Sequence, residues 1–317
     1  MTAGAPTAGG RPLGLGRISF GGRVAVGTIA APVNYADVTG AARKRARDEL
    51  LHRRLMYAAL LFAAAIFMFP FAWSLLTSLK TAQDAAAGTG ILPRDWTFEG
   101  YRTALTTLPF GRYFMHSTLL ALAITASNLL FCSMGGYAFA RLNFPGRDAL
   151  FMLVLGAMLL PDQLRMVPIF RMMRDFGLVD TYSSVWLVGA VAPFGLFFMR
   201  QAFLALPLEL EEAARLDGAG HATIWFKVML PLTLPSMVTL AILTFQGAWN
   251  EFFWPLLFLQ SPEKYTLSQG LALFTSQFET QWPALMAGTV LATIPILIIF
   301  VTLQKHFVSG LGDGAVK

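Results

Sequence analysis

The chain has 317 residues, 56% of them hydrophobic and 13% charged, with a formal net charge of +6 and a mean hydropathy of +0.58. A soluble domain carries about twice that charged fraction, and apolar runs of about 20 residues recur, enough to cross a hydrocarbon core of about 30 Å. This excludes a soluble globule and, because the runs do not alternate, an outer-membrane barrel; the expected class is an all-α polytopic membrane protein.

Residues 1–38 are rich in Gly, Ala, Pro and Thr and lack the apolar content of a core, so a mobile tail is expected. The first long apolar run starts near Leu55, too far along and too long for a signal peptide. "AARKRARDELLHRR" at 41–54 reads as a basic helix leading into the membrane, or as a solvated charged helix that marks the cytoplasmic side. Six spans are expected: Leu55–Leu79, Phe114–Ala140, Ala149–Phe170, Ser183–Leu204, Leu232–Leu259 and Pro283–Leu303. Six spans put both termini on one side. That side holds sixteen Lys and Arg, nine of them in the tail, against eight on the other. The positive-inside rule then places both termini in the cytoplasm. The expected organisation is a cytoplasmic tail 1–54, a transmembrane domain 55–304 with an internal loop 205–231, and a cytoplasmic tail 305–317. Prolines and glycines inside the spans read as kinks, and Ala284, Ala287 and Gly288 as points of close helix approach.

The residues for several chemistries are missing. Cys132 is the one cysteine, so no internal disulfide or multi-cysteine metal site forms. His52, His116, His221 and His306 are scattered and no HExxH occurs. No GxxxxGK[ST] is present, so the chain carries no P-loop for ATP. An intramembrane enzyme would need a convergent catalytic pair; His116 beside Ser117 is the nearest approach, and it sits at a span end. A gradient-driven transporter would show buried acids in several spans and internal repeats; the spans hold few acids and no clear repeat. No nucleic-acid partner is expected.

The loop 205–231 interrupts this apolar chain with Glu209, Glu211, Glu212, Arg215 and Asp217. Each would cost about 2.5–3.5 kcal/mol at the membrane centre, so the segment stays outside. Pro207 and the acids after it suit a helix start, and Ala213 and Ala214 favour helix. Glu211 and Arg215 make an i,i+4 pair, and Gly218 supplies a left-handed stop. A second short helix follows, with Ala222, Trp225, Phe226 and Met229 on one face, ending at Pro231. A plain connector fits this pattern; so does a docking surface, since connectors are usually shorter.

"EEAARLDGAGHATIWFKVMLPLTLP" resembles the EAA loop of permease subunits of binding-protein-dependent ABC importers. The matching residues are Glu212, Ala213, Ala214, Asp217, Gly218, Leu230 and Pro231. "GGYAFARLNFPGR", "MLLPDQLRMVPIF", "GLVDTYSSVW" and "AWNEFFWPLLFL" are similar to the carbohydrate-uptake branch, specifically the smaller maltose-type subunit. The resemblance covers roughly Met56 to Lys317. It departs at Gly100-Tyr101 and His116-Ser117, where these permeases often have Asn before Tyr and Asn before Ser. It implies a type I (MetI-like) permease fold in a bacterial inner membrane, surrounded by lipid and paired with a second, non-identical permease. It also implies a cytoplasmic ABC ATPase dimer that carries ATP and Mg, with no cofactor on this chain, and an extracytoplasmic substrate-binding protein. The EAA helix would dock on one ATPase, and the tail 305–317 would add a second contact. The implied cargo is a sugar, with glycerol phosphate, an amino acid or a polyamine as alternatives.

Asn250, Glu251 and Gln246 in the fifth span are candidates for the substrate route, because polar groups at membrane depth usually face the bundle interior. A helix–helix hydrogen bond explains Glu251 equally well. Trp249 and Trp254 flank them, and Asn128 in the second span is a similar candidate. The polar loop 260–282, with Tyr265, Phe278 and Trp282, is either a connector or, in the family reading, the contact for the binding protein.

Overall fold

The computed structural model describes residues 35–88, 90–275 and 280–315, with side chains between 49 and 303. Of the expected mobile tail 1–38, residues 1–34 lie outside the described residues, as do Phe278 and the side chains of 305–317; residues 35–38 are instead the start of a helix. The chain divides into two units, residues 1–64 and 65–317. One helix, α1 (Tyr35–Ser78), runs through the boundary. In the first unit its described side chains, Glu49 to Ala64, are apolar for most of their length and nearly all exposed.

The second unit is a helical bundle in chain order. After α2 (Ala82–Ala87) and α3 (Glu99–Thr107) comes the long α4 (Phe110–Arg141). Two short pairs follow, α5 (Arg147–Ala157) with α6 (Asp162–Asp175), and α7 (Tyr182–Gly189) with α8 (Pro193–Leu204). Then come α9 (Glu209–Leu216), α10 (His221–Leu232), α11 (Leu234–Asn250), α12 (Phe253–Phe258), α13 (Leu267–Ala272) and α14 (Trp282–Ala315). Among the described residues, four stretches are long and apolar enough to cross a membrane, and up to six if each of two bent pairs counts as one span.

Three expected spans are broken. The third is two helices meeting at 104°. Its break is set by Pro161, whose ring bars the helical conformation at Leu160; Pro161 itself is extended, with ψ 146. The eleven residues of α5 rise only about 16 Å, roughly half a bilayer core. The fourth span is interrupted at Ala190–Ala192, and Pro193 opens α8 at its first turn. The fifth ends at Asn250, nine residues earlier than expected. There Glu251 turns extended, with ψ 126, and its Oε1 accepts the amides of Phe253 at 2.8 Å and Trp254 at 3.3 Å. Its carboxylate thus caps α12 and does not continue α11.

The bundle is centred on α4, against which α8 and α11 pack. Lipid is as apolar as leucine, so such helices are held by close packing and hydrogen bonds. Gly136 shows the close packing: a Cβ there would sit 2.7 Å from the Met199 Cβ and 2.8 Å from the Arg200 backbone nitrogen. Ala284 and Ala287 are buried as expected, and a Gly288 Cβ would strike Leu271. The sequence departures have local causes. A Cβ on Gly100 would lie 2.7 Å from the Pro283 carbonyl oxygen, so Asn does not fit there. His116 reaches the Tyr265 carbonyl through Nδ1 at 3.2 Å, and Ser117 Oγ accepts the Leu267 amide at 2.8 Å.

Candidate functional sites: a charged elbow and a broken-helix cleft

The elbow is α9, its turn and α10. Glu209, Glu211 and Glu212 occupy the first turn of α9 and Arg215 the last, which matches the helix dipole at both ends. Gly218 stops it at φ +82, a conformation glycine adopts without strain. The closing bonds run from the Gly218 amide to Arg215 O at 3.0 Å and from Ala219 N to Ala214 O at 3.0 Å.

Of the motif residues, Glu212, Ala213, Asp217 and Gly218 are exposed and Ala214 is half-buried. Leu230 and Pro231 lie elsewhere, at the far end of α10, where it bends by 80° into α11. Leu216 is 90% exposed and Phe226 61% exposed. Large apolar side chains on a charged elbow have the composition of a docking surface.

The expected face of α10 needs correction. Ile224 and Met229 are fully buried, whereas Phe226 and Ala222 point outward. The cause is a π-helical stretch, Ile224–Met229. Its wider turn puts residues five apart on one face, and a 3.6-residue period misses that.

Sequence reading also missed the anchor beneath the elbow. Glu211 is fully buried beside the exposed Glu212 of the motif. Its Oε1 lies 3.3 Å from Nε of Arg141, and its Oε2 accepts from Arg215 at 3.3 Å. Arg141, the last residue of α4, also donates to the carbonyls of Phe203 at 2.6 Å and Leu206 at 2.5 Å. The expected Glu211–Arg215 pair therefore exists, but it is the outer half of a buried cluster.

The cleft lies where the breaks converge. The start of α6, the break before α8 and the end of α11 surround a cavity of about 330 Å³. Its polar lining is Asp162, Arg165, Asn128, Thr244 and Glu251. Arg165 pairs with Asp162, yet its Nε is buried with no partner.

Of the route candidates, Glu251 and Asn128 line this cavity. Asn128 spends its amide on the broken fourth span. Its Nδ2 donates to Gly189 O at 2.6 Å and to Ile124 O at 3.1 Å, and its Oδ1 accepts from Ala192 N at 2.8 Å. Gln246 and Asn250 are exposed on α11 and do not line it; Asn250 donates to the Gln246 carbonyl at 3.0 Å. Trp249 is corrected to a packing residue. It is buried, donates to Ala292 O at 3.0 Å and stacks on Phe245. Trp254 is the tryptophan on the cavity wall. Asp162 and Arg165 escaped notice because an apolar run was read as one continuous span. Among the described residues, no three of His, Cys, Asp and Glu group so as to hold a metal ion.

At the other end of α4, Asp180 holds a loop. It has φ +61 and pairs with Lys264 at 2.8 Å. Its carboxylate also accepts from Ser261 Oγ at 2.6 Å and from the amides of Gln260 and Ser261. Lys264, with Ser261 after it, holds this carboxyl well below the usual carboxylate range. Tyr265, from the loop expected to meet a partner, is half-buried against Tyr113, while Trp282 is exposed at the start of α14.

A family model described as "binding-protein-dependent transport system inner membrane component" matches residues 132–313, a stretch holding the elbow and all of the cleft lining except Ile124 and Asn128. The chain belongs to that family. This permease is 36% identical to the arabinooligosaccharides transport system permease protein AraQ of Bacillus subtilis, over 80% of this chain and 91% of that one. It is 33% identical to the trehalose/maltose transport system permease protein MalG of Thermococcus litoralis, over 86% and 99%. Among solved structures it matches a bacterial ABC transporter involved in the import of the acidic polysaccharide alginate. That match has a TM-score of 0.72 and 25% identity and covers 82% of this chain and 98% of that one. The permease therefore has the ABC importer fold, and the gradient-driven transporter and the intramembrane enzyme are set aside.

Proposed function

We propose that this permease forms half of the translocation path of a sugar importer. The carrying observation is the cleft, where three broken helices bring peptide groups and polar side chains together in an otherwise apolar bundle. Transporter sites are commonly built this way, from discontinuous helices near the membrane midplane. Its lining cation, Arg165, is already paired with Asp162, so the cleft suits a neutral, hydroxyl-rich solute better than a phosphate ester. Glu251 and the Thr244 hydroxyl on its lining supply an acceptor and a donor for hydroxyl groups. The sugars named for its relatives support the same reading.

The other half of the path comes from a second, non-identical permease. An extracytoplasmic binding protein delivers the solute. A cytoplasmic ATPase pair, carrying ATP and Mg, docks on the exposed face of α9 around Glu212, Ala213 and Ala214. Gly218 sets the angle of the elbow, and both termini lie in the cytoplasm. The tail 305–317 adds a second ATPase contact.

The test is Gly218→Val and Glu212→Lys, each in the full transporter. Both variants should insert normally and lose uptake while the ATPases continue to hydrolyse ATP. Normal uptake in both would remove the coupling role. Uptake by membrane vesicles of a neutral oligosaccharide, but not of glycerol phosphate or an amino acid, checks the cargo class.

A further inference from the structure

The elbow is joined to α8 by the chain, through Ala205–Leu208. The side-chain bonds lead elsewhere. Glu211, inside the first turn of α9, is tied to Arg141 at the end of α4. The same guanidinium grips the Phe203 carbonyl in the last turn of α8 and the Leu206 carbonyl in the linker to the elbow. Thirteen residues back along α4, about 20 Å at 1.5 Å per residue, Asn128 grips Gly189 and Ala192 at the cleft. Between these two grips α4 and α8 are locked together. Gly136 leaves no room against Met199, and a Cβ on Gly195 would sit 2.9 Å from the Cys132 sulfur.

We infer that the Arg141–Glu211 pair is the strut that carries movement of the elbow into α4, and that α4 delivers it to the cleft through Asn128. This rests on the coupling role proposed above and adds the route by which the movement travels. Arg141 and Glu211 are positioning residues, since neither faces the ATPase nor lines the cleft. An isolated buried charge is costly, so the pair holds only while both partners stay together. The guanidinium is held in place by the two carbonyls that accept from it, and it faces the Glu211 carboxylate as a buried ion pair. Movement of α9 that did not also move α4 would have to pull the buried Glu211 carboxylate away from the Arg141 guanidinium.

The test uses the full transporter with its ATPase, reconstituted in lipid. Gly247 lines the cleft, and a Cβ there meets nothing within 4 Å, so Gly247→Cys makes a reporter thiol. Native Cys132 is fully buried and does not compete for reagent. The rate of thiol labelling is compared without nucleotide and with ATP trapped by vanadate, alongside retention of the ATPase on purification. In the parent the labelling rate should change on trapping. Glu211→Gln and Arg141→Gln should each keep the ATPase bound and lose that change. The exchanged pair, Arg141→Glu with Glu211→Arg, should recover it in part.

A nucleotide response in both single variants equal to the parent's would overturn the strut. Loss of ATPase retention in the singles and in the exchanged pair would also overturn it, by making the cluster a part of the docking surface. Failure of the coupling reading itself shows separately, as a parent transporter that retains no ATPase.

Discussion

Two ion pairs sit near opposite ends of α4, and they are built differently. Arg141 and Glu211 keep 7% and 1% of their side-chain surface exposed, whereas Lys264 and Asp180 keep 38% and 26%. The buried pair has given up its hydration and needs every hydrogen bond it makes. The exposed pair is screened by salt and gains little from charge alone; it derives its shape from the amides that Asp180 collects. The first end is suited to staying rigid under load, and the second to holding a loop in shape.

The contrast breaks if the two ends respond alike to substitution. The largest effect is expected at the buried pair. Arg141→Ala or Glu211→Ala strands its partner and should cost about 3–5 kcal/mol, read as a lowered unfolding midpoint in detergent. Replacing both by apolar residues, Arg141→Met with Glu211→Leu, should recover most of that stability. It should not restore the nucleotide response at the cleft, which would separate folding from transmission.

An intermediate effect is expected in the middle of α4. Asn128→Ala leaves the Gly189 carbonyl and the Ala192 amide without partners, at about 1–3 kcal/mol. Hydrogen exchange at the start of α8 should rise with little change near Arg141.

The smallest effect belongs to Asp180→Asn, visible as faster exchange in 260–266 and unchanged melting. Its pH behaviour sharpens the point. A carboxyl whose folded pKa is depressed contributes stability above its unfolded value and loses it as pH falls through the folded one. Protection in this loop, with the intrinsic pH dependence of amide exchange divided out, should therefore hold from pH 7 down to the ordinary carboxylate range and fall progressively in more acid solution.

Much of this was legible in the sequence. Span length, the proline positions and the Glu–Ala–Ala–Gly spacing are local signals, and local physics placed α4, α9, Gly218 and the start of α14 near their observed positions. Three things were not legible, for three reasons. Pro161 was visible, but hydropathy averages over it, so a 104° bend was read as one span. The π turn at Ile224–Met229 has no residue signature, and the expected face of α10 was wrong as a result. Glu211 and Arg141 are seventy residues apart, and only the packing of α4 on α8 shows which of two adjacent glutamates is buried. Trp249 and Asn128 illustrate the same limit: a polar atom inside a span shows that a partner exists, but not that the partner is a solute.

The cleft owes much of its polarity to bends. Helix ends leave up to four peptide groups without intrahelical partners, and three interrupted spans place such ends together. Peptide groups cannot be mutated away. A wall made partly of main chain keeps its shape through any substitution that preserves Pro161, Pro193 and the turn at Glu251. Side chains such as Thr244, Leu243 and Val188 on the same wall can then change without altering that frame, and under the proposed function they are where a change of solute would be written.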